Sequence, residues 1–547
     1  MTSFALVALL ALCAGAAKTQ GAPSSSWPSA AHDVMGQARS TTVRGPNSNT
    51  GVAALWAVPA YNPNLDGYSL FSDLIVSETG DLFYSASDDN VADRGVRALN
   101  SSGHRKWTYQ RVGGNGGNDG TITNTLVLSN GTLYASTTAT QVFYQGRNQL
   151  YALNSTNGTL VWSVELTTDS KLTEIMPSLS TPAVDEEEGV LYVTRAPTDD
   201  VFAFSIGGVL KWTFLSGISL PPDNYATRSS TPLLGAGLIF FLGFTGTLRA
   251  LNKSTGALVW ESNRINGFDG WLCVLGDTLM VGGIDNSSEI GLWAINAETG
   301  SERWRYADPA WAGLGAVYGG LRIGGLAADS STGRVIATTG FGSSGSTTET
   351  ALIPIGVYCV NVFDGSLIWH TKTSIEDTPL VSRNGLGSPS IDAEGIIYVP
   401  GCECNTGTSS TSANIYGITF CAYALAGNGT LLYFSSLPDI ASSIASFSCR
   451  NRLLLASSGY LYTSTASYIL ALVTAPTTAP TTPASSSSAF SAAAVISASV
   501  TAACVLMAGL LYYLRKRSFV APDSSSYRLV VGSTEPRYMA TGVGPLV

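Results

Sequence analysis

The stretch LRALNKSTGALVW (248–260) decides how the chain is read. A short hydrophobic run, Leu248 to Leu251, meets the polar turn Asn252–Gly256, and a second run ends in Trp260. Two such runs around a glycine-closed turn signal a β-hairpin, with Gly256 where a positive φ is needed. The pattern recurs in VRALNSSGHRKW (96–107), LYALNSTNGTLVW (150–162), VFAFSIGGVLKW (201–212), LWAINAETGSERW (292–304), VYCVNVFDGSLIW (357–369) and AYALAGNGTLLY (422–433). Two more apolar runs precede each hairpin, as LSTPAV (179–184) and GVLYVT (189–194) do in the third copy. The anchors Trp56, Trp107, Trp162, Trp212, Trp260, Trp304, Trp369 and Tyr433 follow one another at 51, 55, 50, 48, 44, 65 and 64 residues. A Ser/Thr-Pro pair falls 20 residues after three of them, at Thr181-Pro182, Thr231-Pro232 and Ser388-Pro389.

A four-stranded unit repeated in this way is sought before any other structure, and one unit cannot bury both its faces. Stacking the units radially into a closed ring solves this, so the expected class is all-β, a β-propeller. The isolated strand LWAVP (55–59) has no hairpin partner, while RLLLASS (452–458), YLYTSTA (460–466) and SYILALV (467–473) lack a fourth strand. Joining them gives eight blades; the irregular spacing from 304 to 433 leaves seven open. Composition agrees: 58 glycines suit many tight turns, and 12% charged residues exclude a disordered polyelectrolyte. A net charge of −9 argues against a nucleic-acid groove, and three histidines leave little for a histidine-rich metal site.

The ends of the chain read differently. Residues 1–17 carry no charge and a hydrophobic run from Phe4 to Cys13 followed by small residues, the pattern of a secretory signal cut between about 16 and 21. The ectodomain then spans 27–473, and a Thr/Pro/Ser stalk spans 474–488. Residues 489–514 hold no charge and exceed the ~20 residues needed to cross a bilayer; Arg515, Lys516 and Arg517 follow. That asymmetry places 515–547 in the cytosol. The expectation is a single-pass type I protein of the plasma membrane or an endomembrane, its propeller outside or luminal. In the tail, Tyr527 to Val530 has the form of a tyrosine-based sorting signal, and the terminal GPLV suits a PDZ-type groove.

The repeat resembles that of the pyrroloquinoline-quinone (PQQ) proteins, A-L-(D/N)-x-x-T-G-x-x-x-W, most closely at Asn252–Gly256 and Asn296–Gly300. WPSAAHDVMGQARS (27–40) is similar to the lead-in ahead of such propellers, so the resemblance covers 27–473. It implies a quinoprotein-like ring whose Trp side chains wedge between blades. It also implies what an enzyme of the family would show: PQQ between a tryptophan and a disulfide of adjacent cysteines, Ca²⁺ on Glu, Asn and Asp, and an Asp base. This chain has no Cys-Cys pair; Cys402-Glu403-Cys404 comes nearest, and Asp223, Asp269, Asp329 and Asp392 fall in no matching motif.

Of the remaining candidates, Cys273, Cys359, Cys402, Cys404, Cys421 and Cys449 form an even set in an oxidising compartment, expected to pair as disulfides. Sequons at Asn100, Asn130, Asn154, Asn157, Asn252, Asn286 and Asn428 are N-glycosylation candidates. Five of these lie in hairpin turns, where glycans would shield one rim and leave the opposite face for contacts. The acidic run Asp185–Glu188 reads as a solvated loop, and His32, His104 and His370 as ordinary surface or packing residues. No catalytic, cofactor or metal residue is assigned. The leading expectation is a membrane-anchored binding or scaffold module for a protein, glycan or small ligand. The alternatives are a PQQ/Ca-dependent dehydrogenase and a luminal sensor.

Overall fold

A computed structural model of the chain describes residues 35–46, 51–59, 70–71, 74–87, 95–110, 126–137, 149–166, 178–196, 198–218, 230–244, 246–262, 270–315, 321–341, 355–372, 386–404, 418–442, 452–464 and 468–475. They build eight antiparallel sheets of four or five strands, one per repeat. Blade 4 shows the pattern: Leu233–Gly235, Leu238–Leu242, Leu248–Asn252 and Leu258–Ser262 pair in chain order. Blade 1 ends in the outer strand Arg105–Gln110, blade 2 in Leu160–Glu165, blade 3 in Leu210–Phe214, blade 5 in Glu302–Tyr306, blade 6 in Leu367–Lys372 and blade 7 in Leu431–Ser442. Blade 8 is the composite expected from sequence. Leu454–Leu455, Leu461–Ser464 and Tyr468–Thr474 come from the end of the repeat region, and Val52–Pro59 closes the sheet by pairing with Tyr468–Thr474. The blade count is therefore eight.

The core lies between blades. Phe240, Leu248 and Ala250 of blade 4 pack with Val281, Trp293 and Ile295 of blade 5, and Leu461 and Leu470 of blade 8 share a cluster with Leu82 and Tyr84 of blade 1. Within each blade the outer aromatic lies across a small residue onto the second strand. Trp260 is opposite Ala250, which is opposite Phe240; Trp107, Trp162, Trp212 and Trp56 repeat the rung through Ala98, Ala152, Ala203 and Ala471. Alanine lets the rings meet. Five such Trp–Phe/Tyr pairs have centroids 5.8–6.0 Å apart and planes tilted by 36–44°.

Each indole then reaches forward to the next blade. The Trp260 Nε1–H donates to the Ala297 carbonyl (2.8 Å), and Trp56, Trp107, Trp162, Trp212, Trp304 and Trp369 donate likewise to Ser101, Ser155, Ile206, Lys253, Val362 and Gly427 at 2.7–3.2 Å. The acceptors all belong to turns between a third and an outer strand. The turn glycine two to three residues later lies under the ring: a Cβ at Gly300 would stand 2.6 Å from Trp260. The one anchor without an indole explains itself. Blade 8 has no turn between its third and outer strands, because these come from opposite ends of the chain; Ala475 N–H donates instead to the Gly51 carbonyl (2.9 Å). With no turn ahead of it, blade 7 carries Tyr433, buried, in place of tryptophan.

A β-bulge immediately precedes the aromatic in all eight outer strands, as where Leu258 and Trp260 oppose Leu251 and Ala250 and Val259 is the extra residue. The bulge aims the ring inward and twists an edge that would otherwise invite strand pairing.

The glycine–indole contact can be isolated. Gly256 (φ +73°) lies against Trp212, whereas Gly237 (φ +74°) has open space around its Cβ position. Both alanine variants incur the left-handed penalty of about 1 kcal/mol. Gly256→Ala must also displace the half-buried Trp212 ring, so it should lose about 1–3 kcal/mol more, read as a lower urea midpoint than that of Gly237→Ala.

Candidate functional site

A meander of four antiparallel strands puts its first and third turns at one end and its middle turn and exit at the other. One face of the ring therefore collects the short turns, and the opposite face collects the connections that leave for the next blade. The turn face is crossed by residues 35–46. Val274 N–H donates to Met35 O (2.8 Å), Ala328 N–H to Gln37 O (2.7 Å), Ile391 N–H to Ala38 O (3.0 Å) and Ala393 N–H to Val43 O (2.9 Å). This strap satisfies the open edges of the innermost strands in blades 5, 6 and 7. It also engages two acids. Arg39 pairs with Asp329. Asp392, fully buried, accepts from the N–H groups of Gly45 (3.1 Å), Glu394 (2.9 Å) and Ile396 (2.9 Å) and from Tyr398 Oη (3.1 Å). Burial raises the Asp392 pKa, these donors opposing it.

Near the opposite face two polar clusters are built. Asp199 has φ +55° in the middle turn of blade 3 and is buried. Its carboxylate accepts from Phe244 N–H (2.5 Å) and Arg249 Nη1 (2.8 Å) of blade 4, while Asp200 accepts from Thr198 (2.6 Å), Ser216 N–H (3.0 Å) and Arg195. Burial raises the Asp199 pKa against those donors. Every carboxylate here is bonded, and the cluster latches blade 3 to blade 4. Between blades 5 and 6, Trp311 sits in the 3₁₀ turn Pro309–Trp311, capped by Asp308. Its ring meets Tyr306 and Tyr358 edge-on at 5.7 and 4.9 Å, its Nε1–H donates to Tyr358 Oη (3.1 Å), and Tyr358 stacks on His370 at 4.0 Å. Burial lowers the His370 pKa; Asp308 opposes this and Lys372 adds to it.

A family model described as "Outer membrane protein assembly factor BamB" matches residues 70–213 and 199–378, more than half of the chain. The chain belongs to this PQQ-repeat propeller family. Its ring is similar to that of a europium-containing methanol dehydrogenase, at 13% identity over 81% of this chain and 89% of that one, with a TM-score of 0.52. BamB from Moraxella catarrhalis aligns at 16% identity over 77% and 98%, with a TM-score of 0.41. A quinohemoprotein alcohol dehydrogenase from Pseudomonas putida HK5 aligns at 12% over 85% and 82%, with a TM-score of 0.42. Among curated proteins none matches.

The donor set that a PQQ-repeat dehydrogenase needs is not assembled by the described residues. No group of three His, Cys, Asp or Glu among them is placed to hold a metal ion. Cys402 and Cys404 occupy alternate positions of one strand, opposite Phe420 and Ile418. Asp329 and Asp392 serve the strap; Asp223 and Asp269 lie outside the described residues.

Two of the six cysteines lie among residues whose side chains are described. Cys359 and Cys273 are buried thiols of different blades. Cys359 takes the alanine place in the rung of Trp369, opposite Ile336, and burial pushes its thiol up to about 12. Cys273 faces Met280 across the two inner strands of blade 5. Cys449 and the side chains of Cys402, Cys404 and Cys421 lie outside the described residues, as do the signal, the segment 489–514 and the tail with Tyr527 and Val530. Among the described residues no helix is long and apolar enough to cross a membrane.

Six of the seven sequons, all but Asn286, fall on the turn face. They divide into two kinds. Asn130, Asn157, Asn286 and Asn428 are exposed, and of these the Oδ1 atoms of Asn157 and Asn428 accept from Thr159 and Thr430 N–H at 3.0 and 3.1 Å. Asn100, Asn154 and Asn252 are half-buried and cap their own turns, as where Asn252 Oδ1 accepts from Ser254 and Thr255 N–H (both 3.0 Å). Asn296 and Asn361 make the same bonds without any sequon. Turn geometry accounts for asparagine at this place. Asn252→Ala should therefore cost about 1 kcal/mol even in protein made without glycosylation, and more than Asn428→Ala, which loses a single exposed bond from Thr430 N–H; chemical denaturation of the two variants checks the order.

His370 gives the ring an acid-sensitive joint. Its folded-state pKa lies below the unfolded value of about 6.5, so the unfolded chain binds more protons between the two values. Stability should fall as pH drops through about 6.5 toward the folded pKa. His370→Phe keeps a ring on Tyr358 and should flatten that part of the profile, measured as thermal midpoint against pH from 7.5 to 5.

Proposed function

We propose that the chain is a docking scaffold that holds a partner protein against the rim of its propeller, on the exported side of a membrane. The observation that carries this is the position of the exposed apolar side chains. Every large one among the described residues lies on an outer strand or beside one. The bulge turns two successive residues outward, and both are apolar in blades 2, 4 and 6, as Leu160-Val161, Leu258-Val259 and Leu367-Ile368; in blade 3 the pair is Leu210-Lys211, with Val209 exposed just before it. In blades 1 and 5 the same places hold Arg105-Lys106 and Glu302-Arg303. Exposed apolar groups recurring around one edge mark protein contact. The family's model description, an assembly factor, supports a scaffold role. The uncharged run 489–514 before Arg515 supports the membrane attachment.

A photo-crosslinking amino acid placed at Val161, Leu210 or Ile368 in cells making the full chain should give discrete protein adducts. The same probe at Lys106 or Arg303 should not. In parallel, the purified full-length chain given PQQ and Ca²⁺ should show no dye-linked oxidation of alcohols or sugars; PQQ-dependent turnover would overturn the scaffold reading.

A further inference from the structure

Resting on the scaffold reading, we infer that the turn-face rim of blade 3 is the docking site, and that its occupant is a basic polypeptide segment with an apolar anchor, carried by a partner protein. Blade 3 sets an exposed apolar cluster on the rim, Ile206, Val209 and Leu210 at 45%, 67% and 52% exposure, directly beside acidic side chains. The Ile206 N–H donates to the Gly189 carbonyl (3.0 Å), so this turn lies directly beside the acidic run Asp185–Glu188. Glu186 and Glu187 are exposed there. Lys253 of blade 4 bridges Asp185 and Glu188 at 2.8 and 2.9 Å. With Lys211 in the bulge, two ammonium groups stand against four carboxylates, and the patch is net acidic.

Acid beside exposed aliphatics fits lysine or arginine flanking a hydrophobic side chain, with long-range steering of the approach. A second copy of the chain fits poorly: its net charge of −9 repels itself. The sequons point the same way. Blade 2 carries Asn130, Asn154 and Asn157 and blade 4 carries Asn252, but no sequon falls in either turn of blade 3. The most apolar stretch of this arc is the one where no glycan can attach.

The test uses the purified full-length chain and a fluorescein-labelled heptapeptide alternating lysine with leucine, followed by anisotropy. The peptide should bind, and its counterpart with glutamate for lysine should not. Val209→Ser with Leu210→Ser should weaken binding about tenfold, and Glu186→Gln with Glu187→Gln should flatten its salt dependence. The matched pair Leu258→Ser with Val259→Ser in blade 4 should change neither. All these side chains are exposed, and unchanged urea midpoints confirm intact folding. Binding indifferent to the blade 3 variants, or equal binding of the glutamate peptide, would overturn the proposal. So would a concentration-dependent dimer in sedimentation that the Val209→Ser, Leu210→Ser variant abolishes, since the occupant would then be a second copy. Photo-adducts confined to other blades would remove this site while leaving the scaffold reading in place.

Discussion

An indole lying on the glycine turn of the following blade is the contact on which the ring depends. It combines a buried aromatic surface with one directed hydrogen bond, worth about 0.5–1.5 kcal/mol net by itself, and it works only if the turn has no side chain beneath the ring. Because each tryptophan reaches forward and none reaches back, the blades associate head to tail. Such a heterologous series either closes or leaves two ends exposed. Here Trp56 closes it: the first strand completes the last sheet and its indole docks on Ser101 of blade 1. The single join without an indole falls between blades 7 and 8, where the turn that would receive it is replaced by the pairing of Ala475 with Gly51.

The same local geometry creates the surface on which function is proposed. To point the ring inward the outer strand takes an extra residue, and in blades 1 to 6 the two residues before the aromatic both turn to solvent. They contribute nothing to the interior, so their chemistry can vary from blade to blade without disturbing the ring. Blade 5 shows this freedom used for charge, with Arg303 paired to Asp277 at 2.6 Å; blades 2, 4 and 6 show it used for exposed aliphatics. A rim built in this way can specify a partner while the blades that carry it remain interchangeable in their cores.

How far the sequence reveals this depends on whether a feature recurs. The anchors, turn glycines and composite blade were legible because each repeats or completes a repeat. The place of Cys359 was legible too, had the copies been compared column by column: it stands where Ala98, Ala152, Ala203, Ala250 and Ala294 stand. Counting cysteines as a set obscured that rung. The column of Asn100, Asn154 and Asn252 continues through Asn296 and Asn361, which lack sequons, so the turn by itself accounts for asparagine there. The latch of Asp199 with Arg249 had no such signal, since its partners lie 50 residues apart and belong to no repeated column. The strap was visible only as a similarity of 27–40 to a lead-in, with nothing to show which strand edges it covers.

The strap also bears on chemistry at the ring's inner strands. A general base must hold a lone pair within reach of a substrate proton. Asp392 has both oxygens occupied by three backbone N–H groups and a tyrosine hydroxyl, and Asp329 is held by Arg39 and Ser331. To act on a substrate either acid would first have to release donors that fix the strap and its turn, and for Asp392 the buried Ile396 N–H left unpaired would cost about 1–3 kcal/mol. These two carboxylates are therefore committed to structure, and the variable groups of the described ring are those the bulges set on its rim.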